Sequence, residues 1–314
     1  MKINAMLLID FYKAGHVFQY PNKTQFVYST WTPRTSRIKG VNEVVVFGFQ
    51  GFIKEYLIDY FNDNFFSKPL DVVVAEYSRI IRCCLGEQEP NIQHIIDLHT
   101  LGYLPIEIWA LPEGTLCPIR VPCLTIENTD SRFYWVTNAL ETLFSCENWM
   151  PSTSATIAYE YKKILNKYAM ETTGSTDFVK FQAHDFSMRG HSSWQSATHS
   201  GSGHLLSFVG TDVVPSICYL EEYYGANIEE ELVGCSVAAS EHSVVCAGGK
   251  DNEFETYRRL IEDVYPKGII SLVSDTWDLW HVITDTIYKL KDSIMARDGK
   301  IVIRPDSGDP VDII

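Results

Sequence analysis

The chain has 314 residues, 46% of them hydrophobic and 21% charged, the balance of a globular protein able to bury a large core in one or two domains. Against 40 Asp and Glu it carries only 26 Lys and Arg, a formal net charge of −14. That field repels nucleic acid and anionic membranes, so an anionic ligand must be captured by a local cluster of bases.

The opening MKINAMLLID is too short an apolar stretch for a signal peptide, and no run of ~18 apolar residues follows, so no membrane segment is expected. Runs rich in Val and Ile at 43–49, 70–75, 106–110 and 118–126 read as strands. Helix-like stretches lie at 51–63, 76–85 and 89–100. Residues 130–147 begin with an acidic cap signal and repeat apolar residues at helical spacing, and 153–171 reads as a second long helix.

Eight cysteines, at positions 83, 84, 117, 123, 146, 218, 235 and 246, include no CxxC pair. Most sit in apolar runs, where a free thiol acts as a small hydrophobe, so a reducing, cytoplasmic compartment is expected.

From about residue 175 the rhythm changes. Short apolar runs end in polar residues and pass into helices: FVKFQAHDF (178–186), HLLSFVGTD (204–212), ELVGCSVAASEH (231–242), GIISLVSD (268–275) and KIVIRPDSGD (300–309). Strand-then-helix order predicts parallel strands with right-handed crossovers, and polar residues at the strand ends predict a site on that face. The fold class expected is α/β: an N-terminal mixed α+β domain with long helices over 1–172, and an incomplete (β/α) barrel over 173–314. A barrel ending at VDII is open.

The strand-end residues carry the chemistry. In RPDSGD, Arg304 presents a donor fork for a phosphate or a ring carbonyl, Asp306 offers a carboxylate to ribose hydroxyls or Mg²⁺, and Ser307-Gly308 let backbone approach an anion. An ordinary turn with an Asp cap is the competing reading. In HDFSMRG, Phe186 can stack a planar heterocycle while Arg189 holds its polar edge or a phosphate; alone, such a Phe belongs to a core. The Ser- and Gly-rich stretch after it reads as a loop approaching a ligand. Asp212 and Asp275 each close a strand, where a helix N-cap is the commoner role. His242 beside Glu241 is a candidate acid–base or phosphate-accepting group. His184, His191, His199 and His204 show no metal-ligand spacing, and no metal site is expected. There is no P-loop, GxGxxG or GxSxG, which counts against nucleotide kinases, simple dehydrogenases and α/β-hydrolases.

Taken in order, DFYKAGHVFQYP (10–21), LTIENTDSRFYWVTNALET (124–142), HDFSMRGHSS (184–193), FVGTDVV (208–214), AASEHS (238–243), VSDTWD (273–278) and IRPDSGDP (303–310) resemble the nicotinamide phosphoribosyltransferase family. The resemblance spans essentially the whole chain, and the ordered set is far more specific than any one piece. It implies a type II phosphoribosyltransferase fold and a pentosyltransferase that joins nicotinamide to phosphoribosyl pyrophosphate (PRPP), giving nicotinamide mononucleotide for NAD salvage. Phe186 then stacks nicotinamide on one side, and Tyr12 of a second subunit stacks it on the other. Asp212 accepts from the carboxamide. Arg189 and Arg304 line the base and phosphoribosyl sites, Asp306 belongs to the ribose and nicotinamide pocket, and Arg34 and Lys13 reach PRPP across the interface of a homodimer. His242 matches a histidine phosphorylated by ATP, with Asp275 orienting it. Mg²⁺ is carried by PRPP.

The sequence departs from the family at His191, where a small apolar residue is expected, and in the extra Ser of AASEHS. Members also continue beyond this length with Gly-Asp and Gly-rich loops, so the chain alone is expected to be impaired. The alternatives are a non-catalytic or trans-complementing fragment that pairs with a homologue, and a nicotinate phosphoribosyltransferase. Asp212 favours the amide, since a buried carboxylate repels nicotinate.

Overall fold

A computed structural model describes residues 2–86 and 90–314, so the helix expected at 89–100 begins just outside the described residues. Contacts divide the chain into two units, Met1–Cys235 and Ser236–Ile314. Residue 172, expected to end the first domain, lies in the last turn of a long helix that closes at Thr173.

In the first unit, strands β1 (Tyr28–Trp31), β2 (Glu43–Val45), β3 (Ile106–Ala110), β4 (Leu116–Pro118) and β5 (Leu124–Asn128) form two antiparallel sheets, ordered β1-β5-β3 and β2-β4. Helices pack an aromatic core beside them, in which Phe49, Phe52, Phe61, Phe65 and Phe144 are all buried.

Three expectations fail here, each for a physical reason. The stretch 70–75 is not a strand but the start of the helix Leu70–Leu85, with Pro69 at its N-cap. Its buried residues Val73, Tyr77 and Ile81 are four apart, one face of a helix, and burial of that face overrides the β preference of the Val run. The run 118–126 is broken by a turn in which Arg120 has φ 71°, so β5 starts only at Leu124. The two long helices are one, Val136–Thr173, 38 residues including Pro151.

A proline inside a helix loses a hydrogen bond and crowds the preceding turn. Here tertiary contacts hold the helix through it. Ser152 Oγ donates to Val45 O at 2.7 Å, and Val45 N donates to Thr156 Oγ1 at 2.9 Å, stitching the helix to β2. Gly48 has φ 108°, and a Cβ there would lie 2.6 Å from the Pro151 ring.

The Ser- and Gly-rich stretch is a helix as well, Trp194–His204, with Ser193 Oγ accepting from Ser196 N at 3.1 Å as its cap. Its small residues serve packing rather than ligand approach. A Cβ on Gly203 would lie 2.5 Å from Pro151 O, one on Gly201 would lie 2.3 Å from Ser216 Oγ, and Ser154 and Ser200 hydroxyls meet at 2.7 Å. This helix connects β6 (His184–Asp185) to β7 (Gly210–Thr211), and the two short strands pair in parallel.

The second unit is a parallel sheet of β8 (Ala238–Ala239), β9 (Lys267–Val273) and β10 (Asp298–Arg304), ordered β10-β9-β8. Ile270 and Leu272 of β9 are buried with Val245, Tyr257, Ile261 and Val282 from the helices around them. The strand pairings after residue 175 are parallel, as the sequence rhythm predicts. Among the described residues no sheet closes into a barrel, and the architecture is α/β with an incomplete (β/α) arrangement.

One half-buried histidine is expected to make the first unit acid-sensitive. His94 lies edge-on to Trp135 at 4.9 Å, Phe18 at 5.6 Å and Tyr77 at 6.4 Å, and burial pushes it from 6.5 down to about 4 despite nearby Asp97. A lowered folded-state value means that the neutral ring stabilises fully above the unfolded value and loses that contribution as pH falls from about 6.5 towards 4. In urea unfolding at pH 7.5 and 4.5, the wild type should lose on the order of 2–3 kcal/mol more than His94→Phe. Equal losses refute the assignment.

Candidate functional site

In the first unit, the parallel register pairs His184 with Gly210 and Asp185 with Thr211, and Asp212 N donates to Asp185 O at 2.9 Å. Alternation along the strand sends His184 and Phe186 to one side. Their rings lie 4.5 Å apart at 31°, and His184 Nε2 meets Asp212 Oδ1 at 2.8 Å. Gly210 makes room for this, because a Cβ there would lie 2.8 Å from His184 Nδ1 and 2.9 Å from Ala183 O. Phe186 is 51% exposed, so it is no core residue. Asp212 does not cap the helix Val214–Tyr224, whose N-cap is Val213. The Asp212 side chain is 40% exposed, so its carboxylate faces solvent beside the His184 ring.

Arg189 extends from the exposed turn Ser187–Gly190, three residues beyond Phe186. The histidines of this region have separate partners. His191 sits between Ser187 and Ser196, His199 meets Glu55 at 3.1 Å and Glu147 at 3.5 Å, and His204 Nε2 donates to Gly210 O at 3.0 Å. Burial lowers His204 below the ordinary histidine value, partly offset by Asp185.

Tyr12, Lys13 and Arg34 lie elsewhere in the first unit. Tyr12 is 60% exposed, edge-on to His16 at 4.9 Å. Lys13 is buried and its ammonium is ion-paired with Glu141. Arg34 is exposed on the rim of a cavity of about 740 Å³ that Glu141, Thr30, Thr137 and Trp149 also line. That cavity, and another of about 770 Å³ beside Glu113 and Tyr224, leave out Phe186, Arg189 and Asp212.

In the second unit, β9 and β10 run side by side to Val273 and Arg304, which bring Asp275 and Asp306 together just past their ends. The Asp275 side chain is only 7% exposed, and its Oδ2 accepts from Asp306 N at 2.8 Å and Ser307 Oγ at 2.6 Å. His242 places Nε2 3.8 Å from Asp275 Oδ1 and 3.4 Å from Asp306 Oδ2, while Nδ1 lies 3.1 Å from Thr276 Oγ1. Asp275 Oδ1 is buried without a hydrogen bond. Arg304 reaches Ser240 O at 2.8 Å and Asp306 Oδ1 at 3.2 Å.

The capping readings resolve on other residues. Asp278, not Asp275, accepts from His281 N at the helix start, and Asp309, not Asp306, accepts from Val311 N. The carboxylate of Asp275 fills the backbone turn at Ser307 that looked ready for an anionic ligand. Burial alone would raise Asp275. The bonds from Ser307 and Asp306 N, with His242 nearby, outweigh it and hold the carboxyl below the usual carboxylate range.

Sequence reading left His184, Thr276, Ser240 and Ser307 without these roles. His184 had one available signal, its position two residues before Phe186 on a strand. The others become visible only once strands far apart in sequence are paired.

A depressed carboxyl stabilises above its unfolded value and loses that contribution as pH falls through the folded value. Asp275→Asn should therefore destabilise the protein by about 1.5–3 kcal/mol at pH 7, the worth of bonds to a charged acceptor. Thermal melts at descending pH should show this gap closing below about pH 4. A gap that is constant across pH rejects the role of the charge.

A family model described as nicotinamide phosphoribosyltransferase, N-terminal domain, matches residues 4–108, and one described as the nicotinate phosphoribosyltransferase (NAPRTase) family matches residues 181–314. The nicotinamide phosphoribosyltransferase of Acinetobacter baylyi is 49% identical over 324 residues, covering 100% of this chain and 64% of the relative. That of Xanthomonas campestris pv. campestris is 33% identical, covering 99% of this chain and 64% of the relative. The chain thus spans about two thirds of the length of these relatives. Among solved structures, human nicotinic acid phosphoribosyltransferase matches with a TM-score of 0.61 at 16% identity, covering 95% of this chain and 61% of that one, a likeness of type II phosphoribosyltransferase fold. From one end to the other, the chain belongs to the nicotinamide phosphoribosyltransferase family.

Proposed function

We propose that the chain works in a pentosyltransferase reaction of NAD salvage, nicotinamide plus PRPP giving nicotinamide mononucleotide and pyrophosphate. The observation that carries this reading is the pairing of an exposed Phe186 ring with the Asp212 carboxylate, held at 2.8 Å by His184. An aromatic face stacks a pyridine, and a carboxylate accepts from an amide NH₂. The Asp212 side chain is 40% exposed rather than buried, so solvent weakens its repulsion of nicotinate, and the sister activity ranks second mainly on the amide contact.

The neutral pyridine nitrogen needs no base to attack ribose C1. Its bond to C1 forms as the C1–oxygen bond breaks and pyrophosphate leaves with that electron pair. Positioning and charge stabilisation are then the protein's main contributions. Arg189 and Arg304 serve the phosphoribosyl and base sites, and Mg²⁺ arrives on PRPP with much of its water. Asp306 serves the ribose. His242, with Nε2 facing two carboxylates and Nδ1 against Thr276, is the group for phosphorylation by ATP, oriented by Asp275.

Tyr12 and Arg34, both exposed, are the residues offered to a second subunit of a homodimer. Lys13 has to exchange Glu141 for pyrophosphate to join them. A cytoplasmic location fits the free thiols of the eight cysteines. No helix among the described residues is long and apolar enough to cross a membrane.

Replacing Asp212 by Asn keeps the shape and removes the charge. Activity with nicotinamide should fall about 10- to 100-fold in kcat/KM, the worth of a charged hydrogen bond, while the ratio of nicotinate to nicotinamide use rises. A wild type that prefers nicotinate overturns the choice of substrate. The assay is run on this chain alone and with the remaining third of the Acinetobacter relative supplied separately. Product formed only in the second case identifies a trans-complementing piece, and dimerisation without product in either identifies a non-catalytic one.

A further inference from the structure

His191 stands where the family resemblance leads one to expect a small apolar residue, and its ring is fully engaged. Nε2 lies 3.1 Å from Ser187 Oγ and Nδ1 lies 3.3 Å from Ser196 Oγ. Ser187 opens the turn Ser187–Gly190, and Ser196 lies in the first turn of the helix Trp194–His204. The imidazole therefore bridges the turn to the helix, which a small apolar side chain cannot do. A hydroxyl both donates and accepts, so either neutral tautomer satisfies both contacts.

The bridge is needed because little else holds the outer part of the turn. Phe186, Met188 and Arg189 are all exposed, so no core packing fixes them. The inner end is tied by Ser187 N to Asp185 Oδ1 at 2.8 Å, and the outer end by His191 N to Met188 O at 3.3 Å. The Arg189 side chain makes no hydrogen bond or ion pair among the described residues. Its guanidinium is aimed only by the backbone beneath it, and that backbone is set by the two serines and the ring between them. The helix side of the bridge is rigid, since Ser196 N is capped by Ser193 Oγ and the residues after it are buried.

We infer that His191 is a positioning residue for PRPP binding, which fixes the turn so that Arg189 presents its guanidinium to a phosphate of that substrate. This rests on the role proposed for Arg189 above. Ordering a flexible arginine before the ligand arrives lowers the cost of binding. It has no direct effect on the bond-breaking step, so it belongs in KM and not in kcat.

The test compares the wild type with His191→Phe, which keeps a ring and loses both polar contacts, and with His191→Gln, which can restore one or both. Steady-state kinetics should give a KM for PRPP about three- to tenfold higher in His191→Phe, the worth of one or two neutral hydrogen bonds. The expected kcat changes less than twofold, and His191→Gln recovers part of the KM. Amide hydrogen exchange, read on the same proteins without ligand, should speed up at residues 187–190 in His191→Phe and not in the helix beyond residue 197. An unchanged KM with unchanged exchange overturns the proposal, and so does a fall in kcat at constant KM. If the wild type does not turn over PRPP at all, the functional reading fails separately. Exchange then decides alone: faster exchange confined to the turn supports the bridge, and equal exchange refutes it.

Discussion

The close crossing of two helices organises the first unit. The helix Trp194–His204 approaches the long helix Val136–Thr173 closely where its residues are small, with Ser200 against Ser154 and Gly203 against the carbonyl of Pro151. Any side chain at Gly203 would push the helices apart, and at Gly201 it would strike Ser216 and approach Asp185 Oδ2 at 3.2 Å. Since this helix is the connection between β6 and β7, its depth sets where both strands lie. The 2.8 Å contact of His184 with Asp212, made across those strands, inherits its precision from a packing contact with no chemistry of its own.

The second unit reaches the same end by polar means. Asp275 is nearly buried, and its charge is held by a hydroxyl and a backbone N–H from the chain just past β10. That carboxylate is therefore a brace between two strand ends as well as a neighbour of His242. Arg304 completes the brace by bonding Ser240 O on the segment that follows β8. All three strands of the sheet are thus tied together at the end where His242 lies. Removing the Arg304 charge would leave the carbonyl of buried Ser240 without that donor, which costs more than the bond itself contributes.

What could be read from the sequence follows from the range of the interactions concerned. Alternation, strand-then-helix rhythm and strand-end polar residues are local, and the parallel pairing after residue 175 was legible from them. The stretch 70–75 was not, because Val72, Val73 and Val74 favour a strand by their own propensity. Only the burial of Val73, Tyr77 and Ile81 against a distant aromatic core reverses that preference. The separate helices expected at 130–147 and 153–171 are one for a comparable reason, since the bonds that carry the helix through Pro151 come from Val45, more than a hundred positions away. The serine and glycine content of 191–204 suggested a loop, because small residues serve close backbone approach in both settings, to a ligand or to another helix.

The same distinction separates the two kinds of site residue. Phe186, Asp212, His242 and Asp275 stand out as candidates from their place in motifs, yet nothing in a motif says that His184 would hold Asp212 or that Asp275 would hold Ser307. These second contacts span 28 and 32 positions. They determine which functions remain open to each carboxylate. Asp212 is bonded to an imidazole and remains 40% exposed, so solvent reaches its carboxylate. Asp275, only 7% exposed and engaged with Asp306 and Ser307, has no comparable access to solvent. Two aspartates that look alike as strand-end residues are thus assigned different work by their surroundings alone.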